Sequence, residues 1–136
     1  MARVIGINDA TIKDLPGRRS REIVGADAGA QQSTVRLVEI DPVKPGDAIR
    51  GPHVHFGFEE SIHVLQGEGI TRTDTGEYRV SAGDTILVPS GEKHATYNTG
   101  STVLRLLCFF PIDDIAPGTI EFQSWDADED GDDGDA

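Results

Sequence analysis

His53 and His55 stand two residues apart, Glu59 and Glu60 follow, and His94 comes much later in the chain. Imidazole nitrogens and a carboxylate oxygen are a donor set for a borderline divalent ion such as iron, manganese, nickel, copper or zinc. On a strand, residues i and i+2 leave the same face, so both imidazoles of His53-Val54-His55 can grip one cation. Glu60 is five residues past His55, an odd spacing that a straight strand sends to the opposite face. A turn at Phe56-Gly57-Phe58 removes the difficulty by letting the chain reverse and return a carboxylate to the same interior. On spacing alone Glu59 and Glu60 are nearly equivalent. Two histidines with an acid leave metal binding and an ordinary structural role both open.

The elements that must position these groups are short and punctuated. Val35 to Ile40, Ser61 to Leu65, Tyr78 to Val80, Thr85 to Val88, His94 to Tyr97 and Thr102 to Phe110 are β-branched or aromatic runs of strand length. Between them lie Asp41-Pro-Val-Lys-Pro-Gly, Gly67-Glu-Gly, Asp74-Thr-Gly, Ser81-Ala-Gly-Asp and Pro89-Ser-Gly-Glu, all turn chemistry. Strands recurring at about 8 to 12 residues indicate an all-β sandwich or barrel. No long stretch keeps a 3.6-residue period, so little helix is expected, with a short turn over Asn8 to Leu15 as the one exception.

Two separated blocks resemble the signatures of the cupin superfamily. The first reads G-x5-H-x-H-x3-4-E-x6-G, and this chain has Gly46, His53, His55, Glu60 and Gly67, with one extra residue between Gly46 and His53. The second reads G-x5-P-x-G-x2-H-x3-N, and Gly83, Pro89, Gly91, His94 and Asn98 match every position. The resemblance implies a double-stranded β-helix, a jelly-roll barrel of two antiparallel sheets. It further implies one divalent transition metal held by His53, His55, Glu60 and His94. Glu60 is preferred to Glu59 because it preserves the six-residue gap to Gly67. Gly46, Gly67, Gly83 and Gly91 read as turn residues and Asn98 as a structural hydrogen-bonding residue. Small cupins commonly pair, so a homodimer is expected, with the strand around Ile23 contributing.

Ile62, in phase with Glu60, is expected to face the cavity, whereas His63 falls on the opposite side of its strand. Arg36 and Arg105 sit inside apolar strands and are candidates to anchor a substrate carboxylate bidentately, against the plainer reading of pairing with a surface acid. Glu59 and Tyr97 are further substrate-side candidates. Tyr97 and Trp125 have packing as their plainer role. Arg18, Arg19 and Arg21 read as an exposed basic loop in preference to an anion site, and Cys108 as a buried small hydrophobe. The resulting expectation is a metal-dependent enzyme on a small organic molecule, an oxygenase foremost. A non-redox sugar-acid isomerase, lyase or decarboxylase and a non-catalytic metal-dependent binding module are the alternatives. No catalytic residue is assigned.

Charge narrows the partners. The 136 residues carry 12 Lys and Arg against 24 Asp and Glu, a net −12. Such a field repels phosphate backbones and anionic lipid, which disfavours nucleic acid and membranes and leaves a small molecule, an anionic chelator among the candidates. Seven of the acids lie in residues 126–136, read as a disordered acidic tail after a barrel domain spanning 1–125; the rest of the chain has 12 bases against 17 acids, a net −5. The Asp126-x-Asp128-x-Asp130-Gly131 spacing imitates the start of an EF-hand loop, but no flanking helix pattern supports it. One cysteine excludes a disulfide framework. With no apolar run of membrane-spanning or signal-peptide length, a cytoplasmic location is the default expectation.

Overall fold

The computed structural model describes residues 1–126. The acidic run expected as a tail, and with it the EF-hand-like spacing, falls outside them apart from Asp126. Eleven strands are present: β1 (Thr11–Leu15), β2 (Arg18–Val24), β3 (Thr34–Ile40), β4 (His53–His55), β5 (Glu60–Gln66), β6 (Glu68–Thr73), β7 (Gly76–Ser81), β8 (Thr85–Val88), β9 (His94–Asn98), β10 (Leu104–Phe110) and β11 (Thr119–Glu121). Three single 3-10 turns, at Ile7–Asp9, Ala26–Ala28 and Ala116–Gly118, complete the regular structure among the described residues. The strands form two antiparallel sheets, a six-stranded one in the order β1-β2-β3-β10-β5-β8 and a five-stranded one in the order β11-β4-β9-β6-β7.

The core lies between the sheets because the strands alternate. In β5, Glu60, Ile62 and Val64 are buried while Ser61 and His63 face away; in β10, Leu104, Leu106, Cys108 and Phe110 are buried. Phe58, Val80, Val88 and Ile115 join these residues in one apolar cluster. Gly46, Gly67, Gly83 and Gly91 all take positive φ, as turn residues do. Gly69 has a different reason to be glycine. A Cβ there would stand 2.4 Å from the Tyr97 carbonyl oxygen and 2.8 Å from Leu104, so β6 packs against β9 and β10 more closely than any side chain allows.

Four sequence expectations are corrected. The turn expected over Asn8 to Leu15 is a 3-10 turn at Ile7–Asp9 followed by strand β1, since Thr11 to Leu15 pairs with Glu22 to Arg18 along its length. Arg18, Arg19 and Arg21 are not in a loop but in β2, half-buried and paired to both β1 and β3. Gly67 alone makes the turn between β5 and β6, so Glu68 and Gly69 belong to a strand that composition hides. The chain does not reverse at Phe56-Gly57-Phe58. Gly57, at φ 94°, lets it cross from β4 in one sheet to β5 in the other.

Asn98 ties the two sheets at one end. Its buried amide donates to the carbonyls of Ile40 (3.0 Å) and Thr102 (2.7 Å), and its Oδ1 accepts from the Gly100 amide (2.8 Å). Asn98→Ala leaves these groups unpartnered, each at about 1–3 kcal/mol when buried. The expected outcome is a urea midpoint lowered by the equivalent of roughly 2–4 kcal/mol; a midpoint unchanged from wild type would show that the clasp is dispensable.

Candidate metal centre

The two histidines of β4 and the one opening β9 are neighbours in space because His53 and His94 are register partners. Their rings stand 4.3 Å apart between centroids, and His55 is 5.0 Å from His53 and 5.2 Å from His94. All three project from the five-stranded sheet. Glu60, the first residue of β5, comes at them from the opposite sheet, with Oε1 2.9 Å from His94 Nε2 and 3.2 Å from His55 Nε2. One potential donor atom from each of the four side chains lies within 4.8 Å of the others. Two ligands each about 2.0–2.2 Å from one ion are at most about 4.4 Å apart, so small side-chain shifts close the group on a single cation.

The hydrogen bonds behind the rings decide which nitrogen faces inward. Thr119 donates its hydroxyl to the Ile115 carbonyl (2.6 Å), so its oxygen accepts from His55 Nδ1–H (2.8 Å). His94 Nδ1–H donates to the Glu92 carbonyl (2.9 Å), which has no proton to give. In each neutral ring Nε2 therefore carries a lone pair aimed at the Glu60 carboxylate, itself only an acceptor. Acceptors converging in a buried place require a cation between them, either a proton or a metal ion. Three imidazoles and a carboxylate, with two rings oriented from behind, fit a divalent transition metal.

The electrostatics answer to the same need for a cation among these groups, a proton or a metal ion. Burial by itself raises the Glu60 carboxyl, but hydrogen bonds with His55 and His94 and the facing His53 outweigh it and hold the group down at about 2. Burial, and next the neighbouring His94, lowers His53 well below the ordinary imidazole range, which keeps its ring neutral and available as a ligand. For His94 burial acts downward, yet the contact with Glu60 prevails and its pKa is raised.

A cavity of about 160 Å³ opens from this cluster between the sheets. Ile62, Leu106, Phe110 and Ile115 form apolar wall, and Cys108 adds a thiol that burial, followed by the nearby Glu60, pushes well above its usual pKa and so keeps protonated. The mouth is polar and carries more cations than acids, with Lys13, Arg18, Arg36 and Arg50 beside Glu121.

The candidates from sequence divide accordingly. Ile62 lines the cavity. Arg36 reaches it too, but its guanidinium meets Glu22 Oε1 at 2.9 and 3.3 Å. Arg105 points outward and pairs with Glu39 at 3.1 Å, because β10 turns its odd-numbered residues away from the core. Glu59 is exposed and Tyr97 lies behind the wall, its hydroxyl donating to the Arg50 carbonyl (2.7 Å); neither lines the cavity. His63, on the outer face, contacts the Thr85 hydroxyl at 2.8 Å. Arg50 and Thr119 escaped the sequence reading, and Arg18 entered it only as part of a basic loop. The alternation Arg18-Ser20-Glu22 against Arg19-Arg21-Ile23 was the available signal for Arg18, and the position of Arg50 three residues ahead of His53 was the signal for Arg50.

The cupin-domain family model matches residues 41–110, half of the chain, and spans both sheets and all four of these side chains. The chain belongs to the cupin domain family. An oxalate-binding protein of Thermotoga maritima is 35% identical to this cupin over 78 residues, 57% of this chain and 64% of that protein. An uncharacterized protein of Methanocaldococcus jannaschii is 36% identical over 56 residues, 41% of this chain and 45% of that protein. The chain thus spans less than two thirds of either relative. Among solved structures, the polyketide cyclase RemF of Streptomyces resistomycificus matches with a TM-score of 0.73 and 22% identity, over 96% of this chain and 89% of that one. An oxalate decarboxylase of Lactobacillus farciminis, in a formate complex, matches with a TM-score of 0.71 and 21% identity, over 84% of this chain and 34% of that one. These likenesses are of fold.

Replacing both His53 and His94 with Ala is expected to reduce metal per chain to near zero by mass spectrometry, while the barrel still melts cooperatively. Wild-type metal content in that double variant would place the metal elsewhere. Thr119→Val, which removes only the oxygen behind His55, is expected to weaken metal binding by about 10–100-fold.

Proposed function

We propose that this cupin holds one divalent transition metal on His53, His55, Glu60 and His94 and uses it to bind a small chelating carboxylate inside the barrel. The observation that carries the reading is the continuity of the cavity, from four converging ligands at its floor to Arg18 and Arg50 at its mouth. A bound metal would supply Lewis-acid polarisation of the ligand's oxygens. The protein's own part is to exclude water with Ile62, Leu106 and Phe110, to keep the imidazoles in one tautomer, and to attract an anion. At about 160 Å³ the space is small beside the roughly 300–1,000 Å³ of drug-sized sites, which suits a ligand of a few carbon atoms. The 35% identity to an oxalate-binding protein supports the same class.

The oxygenase expectation uses the same metal and adds dioxygen as co-substrate. The cationic mouth and the oxalate-binding relative favour carboxylate binding as the property common to an oxygenase, a lyase or a pure binder. A homodimer has an apolar surface to use on the outer face of the six-stranded sheet, where Phe109 and Leu87 are exposed in one row across β10, β5 and β8.

Calorimetric titration with oxalate is the direct test. Metal-loaded protein is expected to bind it and chelator-stripped protein to lose at least about tenfold in affinity, since a ligand held by the metal is lost with it. Binding that survives metal removal would sink the reading. Oxygen consumption by iron-loaded protein in the presence of a bound carboxylate would promote the oxygenase over the binder.

A further inference from the structure

Of the five arginines on the six-stranded sheet three have carboxylate partners, while Arg18 and Arg21 do not, and of these two only Arg18 lines the cavity. Arg19 meets Asp41 at 3.1 Å and Glu39 at 3.7 Å, Arg36 meets Glu22 at 2.9 Å and Arg105 meets Glu39 at 3.1 Å. Arg18, next to Arg19 on β2 but turned inward by the strand's alternation, has no carboxylate within ion-pair distance among the described residues. Arg50, in the segment that enters β4, shares the cavity mouth with it and is likewise without a carboxylate partner there. Ser20, the next inward residue of β2, stands beside them.

Arg50 is held in place rather than free to swing into water. Its Nη2 donates to the Thr96 carbonyl, its guanidinium lies 5.3 Å from the centre of the Tyr97 ring, and its own carbonyl accepts from the Tyr97 hydroxyl. The Tyr97 hydroxyl in turn accepts from Trp125 Nε1 at 2.7 Å. Burial, and after it the like charge of Arg18, lowers Arg50 to about 10, and burial lowers Arg18, with Glu121 opposing it in both cases. Two cations, one of them fixed, thus face one cavity at a cost in mutual repulsion and desolvation. An anion between them removes both costs, and a guanidinium fork suits a carboxylate or a phosphate.

We propose that Arg18 and Arg50 form a second anion subsite, so that the ligand is a small molecule with a chelating carboxylate at one end and a separate acidic group at the other. This rests on the metal-dependent carboxylate binding proposed above, and adds that one chelating end alone does not fill the site. Ser20 and Lys13 extend the donors around the distal group, while Glu121 keeps the mouth from being cationic all round and selects against bulkier polyanions.

The test is calorimetric titration of the metal-loaded full chain with three probes that share an α-hydroxycarboxylate end. Glycolate has that end alone, malate adds a carboxylate, and 3-phosphoglycerate adds a phosphate. One of the two larger probes is expected to bind at least about tenfold more tightly than glycolate, as a charge-assisted pair supplies; which one identifies the distal group. Arg18→Gln is expected to abolish that advantage with metal content unchanged and to weaken the favoured larger probe at least about tenfold more than glycolate, and Arg18→Lys to restore part of it. Equal affinity for all three probes in the wild type overturns the subsite, as does an Arg18→Gln variant that weakens all three alike or none. Failure of every probe to bind metal-loaded protein, or binding indifferent to the metal, would instead remove the underlying reading of the site.

Discussion

A carboxylate from one sheet is buried against three imidazoles from the other, and the rest of the structure is arranged around that meeting. Glu60 is 4% exposed, and a charge so placed is tolerated only when paired and hydrogen-bonded. The partners available are rings whose inner nitrogens are themselves acceptors, because Thr119 and the Glu92 carbonyl occupy the outer ones. The interior is therefore built around an added positive charge. Each sheet holds part of the donor set, so the distance between the sheets is also the geometry of the site.

That distance is fixed by close-packed features remote from the chemistry. Asn98 joins the ends of β3 and β9 to the loop before β10, and Gly69 of β6 leaves room for the Leu104 side chain of the opposite sheet. At the other end, Phe56 N bonds to Gly118 O and Gly91 N to His55 O, which pins the crossing between β4 and β5. The segment after β11 continues the same work. Phe122 N bonds to Pro52 O, and a Cβ on Gly51 would stand 2.1 Å from the Phe122 carbonyl oxygen, so chain near the C-terminal end of the described residues lies flat on the segment that leads into β4 at His53.

The sequence made the fold and the four converging side chains legible because both are written in spacing. Turn glycines and β-branched runs mark strands, and the two histidine blocks with Glu60 and Asn98 mark the barrel. Where the reading failed, a local pattern was overruled by pairing. Arg18, Arg19 and Arg21 look like a solvated cluster by composition, yet β1 and β3 on either side supply a strand's hydrogen bonds and give each guanidinium a different environment. For Arg105, set among apolar neighbours, the plainer reading of pairing with a surface acid holds, because alternation turns it outward to Glu39. The odd interval from His55 to Glu60 was resolved by a crossing between sheets rather than a reversal, a distinction that no spacing rule contains.

The net charge acquires its meaning from the same placement. Acids outnumber bases two to one over the whole chain, yet among the residues lining the cavity the cations outnumber the acids, and a metal would add two charges more. Outside, Glu22, Glu39 and Asp41 pair with Arg19, Arg36 and Arg105. Charge inside a low-dielectric cleft acts over a longer effective range than the screened surface charge around it. On the carboxylate-binding reading proposed above, an anion is repelled by the acidic surface and attracted at the cavity. The excess of acids would then sharpen the contrast between the mouth and its surroundings, and selectivity for a small, desolvated anion over a large polyanion would follow from size and field together.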